Sequence, residues 1–143
     1  MKKIIAILLF TGLILSCDSG TVNYRNPYLP NYAVNYEINL NLPQFASLQF
    51  AGNNVVIPEG IRGVVIFNTG SGYTAFDIAC PNQDLSTCST MIITNPSSNT
   101  AICPCDDAVY SLFTGQSVNE GKEYPMKRYR VELLDDYTIR VYN

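Results

Sequence analysis

Histidine is missing from all 143 residues, and every mechanism that needs imidazole as base, acid or metal ligand goes with it. Tryptophan is missing as well, which excludes little. No internal repeat is visible, and no stretch keeps a 3.6-residue apolar period long enough to make a helix. The one long apolar run, Ile4 to Leu15, falls short of the roughly 20 residues a membrane-spanning helix needs. There is no phosphate-cradling glycine loop and no nucleophile–base pair, so no enzyme site is expected.

That apolar run follows Met1-Lys2-Lys3 and ends at Ser16-Cys17, the charged, greasy and small-residue order of an export signal. Ile14-Leu15-Ser16-Cys17 resembles the lipobox of bacterial lipoproteins, although Leu15 is bulkier than usual there. The resemblance implies cleavage of residues 1–16, lipidation of Cys17 by diacylglycerol and a further acyl chain, and a place in the bacterial cell envelope. Several acyl chains give the durable attachment that one does not. Asp18 is the only sorting hint, and the choice between inner and outer membrane stays open. Cleavage leaves 127 residues and removes Lys2 and Lys3 from nine basic residues against twelve acidic ones, for a net charge near −5. An acidic chain of this kind is not expected to bind nucleic acid.

Residues 17–36 are polar and rich in turn signals such as Asn26-Pro27 and Pro30-Asn31, and read as a tether from lipid to a single domain over residues 37–143. Tyr36 to Leu42 alternates polar and apolar before Pro43, the pattern of a half-buried strand. Further short strands are predicted at Leu48–Phe50, Val55–Ile57, Gly63–Phe67, Tyr73–Ile78, Met91–Ile93, Thr100–Ile102, Val109–Phe113, Arg128–Leu134 and Thr138–Tyr142. Asn68-Thr69-Gly70-Ser71-Gly72 and Asp135-Asp136 supply hairpin turns. The fold class is therefore all-β, a small sandwich or barrel of short antiparallel strands.

Four cysteines belong to the domain, Cys80, Cys88, Cys103 and Cys105. In an oxidising envelope they read first as two disulfides, with three possible connectivities. Zinc would want paired C-x-x-C spacing and usually histidine, and the sequence offers neither.

Ala75-Phe76-Asp77-Ile78-Ala79-Cys80-Pro81-Asn82 and the run from Cys103-Pro104-Cys105-Asp106-Asp107-Ala108 to Phe113-Thr114-Gly115 resemble the two cluster-binding loops of Rieske iron–sulfur domains. Tyr124 to Glu132 is similar to the family's proline-containing loop and following strand, so the resemblance covers about residues 62–142. It implies two Cys-bearing loops on a β scaffold. A Rieske centre holds one iron by two thiolates and the other by two imidazoles. Cys80 and Cys103 stand at the thiolate positions, but Asn82 and Asp106 occupy the histidine positions, and Asp107 and Ala108 replace the family's Gly and Ser. Asn is a very poor iron ligand, while a carboxylate can bind through a hard oxygen.

Some family members join the two loops by a disulfide at the middle cysteine of C-P-C, which Cys105 matches. The resemblance thus implies Cys88–Cys105, with Cys80–Cys103 as a further bond where a cluster would sit. The expectation is a domain without cofactor, stapled by disulfides and serving as a binding or structural module for an envelope protein partner. The alternative is electron transfer through an iron–sulfur cluster with ligands drawn from Cys80, Cys88, Cys103, Cys105 and Asp106, in which case any metal would rest on Cys80 and Cys103. A third reading is thiol–disulfide exchange at Cys103-Pro104-Cys105, which is C-x-C and lacks the C-x-x-C arrangement that lowers a thiol pKa.

Overall fold

The computed structural model describes residues 25–143. The expected export signal, Cys17 and the first part of the expected tether lie outside the described residues. Eight strands form two sheets: β1 Asn35–Asn39, β2 Asn54–Ile57, β3 Val64–Asn68, β4 Tyr73–Asp77, β5 Thr100–Cys103, β6 Ala108–Ser111, β7 Arg128–Asp135 and β8 Thr138–Tyr142. Six of them make one curled antiparallel sheet in the order β1-β8-β7-β4-β3-β2, and β5 and β6 make a separate hairpin.

Strand β3 explains how the pieces assemble. Its Val64-Val65-Ile66-Phe67 is buried at every position, as a strand covered on both faces must be. Side chains alternate across a strand. Val64 and Ile66 enter one core with Ile38, Leu48, Ile57, Ala75, Tyr129, Ile139 and Val141. Val65 and Phe67 enter a second with Phe76, Cys80, Cys103, Tyr110, Leu112 and Met126. The curled sheet closes the first core on itself, and the β5–β6 hairpin with the cysteine loops caps the second.

Several expectations are corrected. Leu48–Phe50 is no strand: Ala46–Gln49 forms a 3-10 turn whose one buried residue is Leu48, because Leu48 N–H bonds to Phe45 O and Phe50 N–H to Ser47 O. Met91–Ile93 is no strand and contributes one isolated bridge, Ile92 with Ile102, next to a second bridge of Thr90 with Ala79. Strand β1 ends at Asn39, earlier than Leu42, since the Asn39 side chain accepts from Asn41 N–H and its carbonyl from Leu42 N–H, turning the chain. Nor is the segment before Tyr36 loose from Asn26 onward. Leu29 and Val34 are buried, Asn26 Nδ2 donates to Pro81 O, and Lys127 Nζ donates to Pro30 O and Asn31 Oδ1. Val34 packs into the first core.

Where β4 leaves the sheet, one carboxylate organises the turn. Asp77 is fully buried and accepts from Ile61 N–H at 2.7 Å, Arg62 N–H at 3.2 Å, Ala79 N–H at 2.9 Å and Tyr129 O–H at 3.0 Å. Burial first, then the neighbouring Asp77 charge, pushes the Tyr129 hydroxyl far above its ordinary range, so it remains a donor. Asp77→Asn puts an amide donor among these donors, and urea unfolding should show a loss of at least about 2 kcal/mol. The unfolded chain ionises Tyr129 from about pH 10 while the folded chain keeps its proton. This contribution to stability is therefore full below pH 10 and lost as pH rises above it. Tyr129→Phe should be less stable at neutral pH and show a shallower alkaline decline than the parent in unfolding titrations.

Candidate functional site

The two cysteine loops, the segment 115–127 and the N-terminal stretch 26–32 meet at one end of the sheet. The first loop leaves β4 as Ile78-Ala79-Cys80. It is held by Asp77 through Ala79 N–H, by Cys80 N–H to Ser89 O and by Met91 N–H to Ile78 O. The second loop is the tight turn of the β5–β6 hairpin, in which Cys103 pairs with Ala108. Asp107 takes φ 53°, the only positive φ outside glycine among the described residues, and Asp106 Oδ1 accepts from Ala108 N–H. This is a left-handed turn conformation, which Asp tolerates better than most residues.

Cys80 is disulfide-bonded to Cys103 with Cα atoms 5.7 Å apart, and Cys88 to Cys105 with Cα atoms 5.2 Å apart. These are the two pairs the resemblance implies. The first bond lies inside the second core, both residues 1% exposed, with Gln83 Nε2 directed at Cys103 Sγ at 2.8 Å. The second lies at the surface, where Ser86 Oγ sits 3.4 Å from Cys88 Sγ and 3.8 Å from Cys105 Sγ.

Asn82 and Asp106, at the histidine positions, face different tasks. Asn82 Nδ2 donates to Tyr124 O at 2.7 Å and to the Tyr110 hydroxyl at 2.9 Å, while its Oδ1 accepts from Tyr124 N–H at 2.9 Å. Both amide hydrogens and the carbonyl are used, so Asn82 clamps the first loop to the backbone before Pro125. Burial raises the Tyr110 hydroxyl above its ordinary range, against the opposing pull of the Asn82 hydrogen bond. Asp106 Oδ2 pairs with Lys122 Nζ, and that hydrogen bond raises the lysine pKa.

A [2Fe–2S] cluster needs four free donors, four thiolates in the plain form or two thiolates and two imidazoles in the Rieske form. Here all four sulfurs are spent in two disulfides, the Asn82 amide is saturated, and the Asp106 carboxylate holds an ammonium. The residues in this arrangement do not fit the cluster. Among the described residues no three of Cys, Asp or Glu converge as a metal site. Tyr110 and Tyr124 lie in the segments that carry the resemblance, but nothing in the sequence pairs them, Gln83 or Lys122 with their partners, which are 16 to 42 positions away.

No protein-family model matches the sequence, and no curated protein does. Among solved structures the chain is similar to the ferredoxin of carbazole 1,9a-dioxygenase from Nocardioides aromaticivorans IC177, with TM-score 0.47 and 17% identity over 78% of this chain and 97% of that one. It is also similar to the Escherichia coli protein NirD, with TM-score 0.47 and 16% identity over 78% of this chain and 98% of that one.

The two disulfides close loops of similar size, 23 and 17 residues of separation, so chain entropy alone gives each about 3 kcal/mol. Cys80→Ala/Cys103→Ala should cost more than Cys88→Ala/Cys105→Ala in urea unfolding, and the excess measures the packing that the buried pair supplies to the second core. Asn82→Ala should cost about 2 to 3 kcal/mol by leaving the Tyr124 backbone unpartnered.

Proposed function

We propose that this chain is an envelope lipoprotein, anchored through Cys17, whose domain keeps a Rieske-like scaffold and has exchanged the iron–sulfur cluster for protein cross-links. It acts as a binding or structural module that presents its surface to an envelope protein partner. Electron transfer is not its task. The observation that supports this reading is the buried Cys80–Cys103 bond, which consumes the two sulfurs that a cluster would require. The engagement of Asn82 with Tyr124 and of Asp106 with Lys122 extends the same substitution to the imidazole positions. Each former ligand position now joins two parts of the chain.

The test is metal content, visible absorption and free-thiol count of residues 18–143, produced both in the cytoplasm and by export. The exported protein should hold no iron, show no visible bands and carry no free thiol. Stoichiometric iron and sulfide would overturn the proposal and make the chain an electron carrier without histidine ligation. In cells, Cys17→Ala should move the protein from the membrane to the soluble fraction, with the acyl mass absent from its N-terminus.

A further inference from the structure

We infer that the disulfide-loop end of the domain faces the bilayer and that the β7–β8 turn faces away from it. This placement rests on the reading of Cys17 as the lipidated residue. The chain enters the described domain at the disulfide-loop end. Asn26 is buried there against Pro81 of the first loop, and the Tyr28 ring meets the Tyr124 ring edge-on with centroids 6.0 Å apart. The opposite end is fixed by the strand register. Asp77 N–H bonds to Lys127 O and Phe76 pairs with Arg128, so the chain before Arg128 runs back toward Asn82 while β7 runs the other way to Asp135. Seven steps along β7 separate Arg128 from Asp135 by about 23 Å.

Seven residues lie between Cys17 and Arg25, making eight Cα-to-Cα steps. Whatever their conformation, they span at most about 28 Å. A compact domain of this size is about 35 Å across. An inverted pose, with the β7–β8 turn against the lipid, would need the tether to climb the full height of the domain, which exceeds its reach. The disulfide-loop end is highly charged, with Asp84, Asp107, Glu120 and Glu123 exposed beside Arg25 and Arg62. It therefore stands over the headgroups and does not insert between them. The end that points into the surrounding compartment carries Leu42, Leu133, Leu134 and Tyr137, all exposed.

The absence of tryptophan makes the test direct, because a single introduced Trp is the only one in the chain. The full mature lipidated protein carrying Leu85→Trp or Tyr137→Trp, both exposed positions, is reconstituted into neutral phosphatidylcholine vesicles containing dansyl-headgroup lipid. Energy transfer from position 85 should exceed that from position 137 several-fold. A long Gly/Ser insertion between Asp18 and Arg25 should erase the difference. Flotation with the vesicles together with equal transfer, or stronger transfer from position 137, overturns the orientation alone. Failure of the lipidated protein to float overturns the anchor and the orientation with it.

Discussion

The bond between Cys80 and Cys103 joins the main sheet to the small hairpin at the centre of the second core. Without a cross-link here, β5 and β6 would be a two-strand hairpin, and such a hairpin is marginal on its own in water. Its inward face supplies Ala101, Cys103, Ala108 and Tyr110 to a core whose other wall is β3 and β4. The hairpin and the sheet are therefore each incomplete alone. The sulfur bridge fixes their distance, and apolar burial on both sides of it fills the space between.

Around this bridge the chain repeats one device, a side chain from one loop satisfying the backbone of another. Asp77 collects the amides of residues 61, 62 and 79, Asn82 takes both polar groups of Tyr124, and Lys127 holds the carbonyl of Pro30. Loops this close to a core cannot all bond to water, and an unpaired buried amide costs about as much as a whole hydrogen bond earns elsewhere. Gly115 shows the same crowding by contrast. It has φ +76°, and a Cβ there would lie 2.5 Å from the Phe76 ring, so the glycine of the Phe113-Thr114-Gly115 run is required both by its backbone conformation and by the aromatic residue at its back.

How much of this was legible in the sequence depends on the range of the interaction. The alternation around Ile38 and the continuous Val64–Phe67 run are local patterns, and they gave strands with the right faces buried. Leu48 sits in the triplet Leu48-Gln49-Phe50 but is captured in a turn, its N–H donating to Phe45 O, which hydrophobicity does not report. Residues 26–34 look like linker by composition, yet Val34 joins the first core, and β1 and β8 place the C-terminus beside it, with Asn143 bonded to Tyr32 O and Val34 N–H. The cysteine loops stood out because their spacing carried a resemblance. The Asn82–Tyr124 clamp could not, because either residue alone looks like an ordinary polar loop position.

At the tip of the domain the polar side chains of the two loops are committed to protein partners. Metal ligands must point their lone pairs at a common centre, and the loops that carry them are shaped by that centre. In this chain the donors at the same positions point at protein. Asn82 faces the backbone of Tyr124, Asp106 faces Lys122, and the sulfurs face each other. The tip is cross-linked by its own side chains. Side chains such as Asp84, Leu85, Asp107 and Glu120 are left free to be set by whatever lies opposite them. A scaffold in this condition keeps the placement of its loops while the chemistry of their outer faces becomes independent of the core beneath.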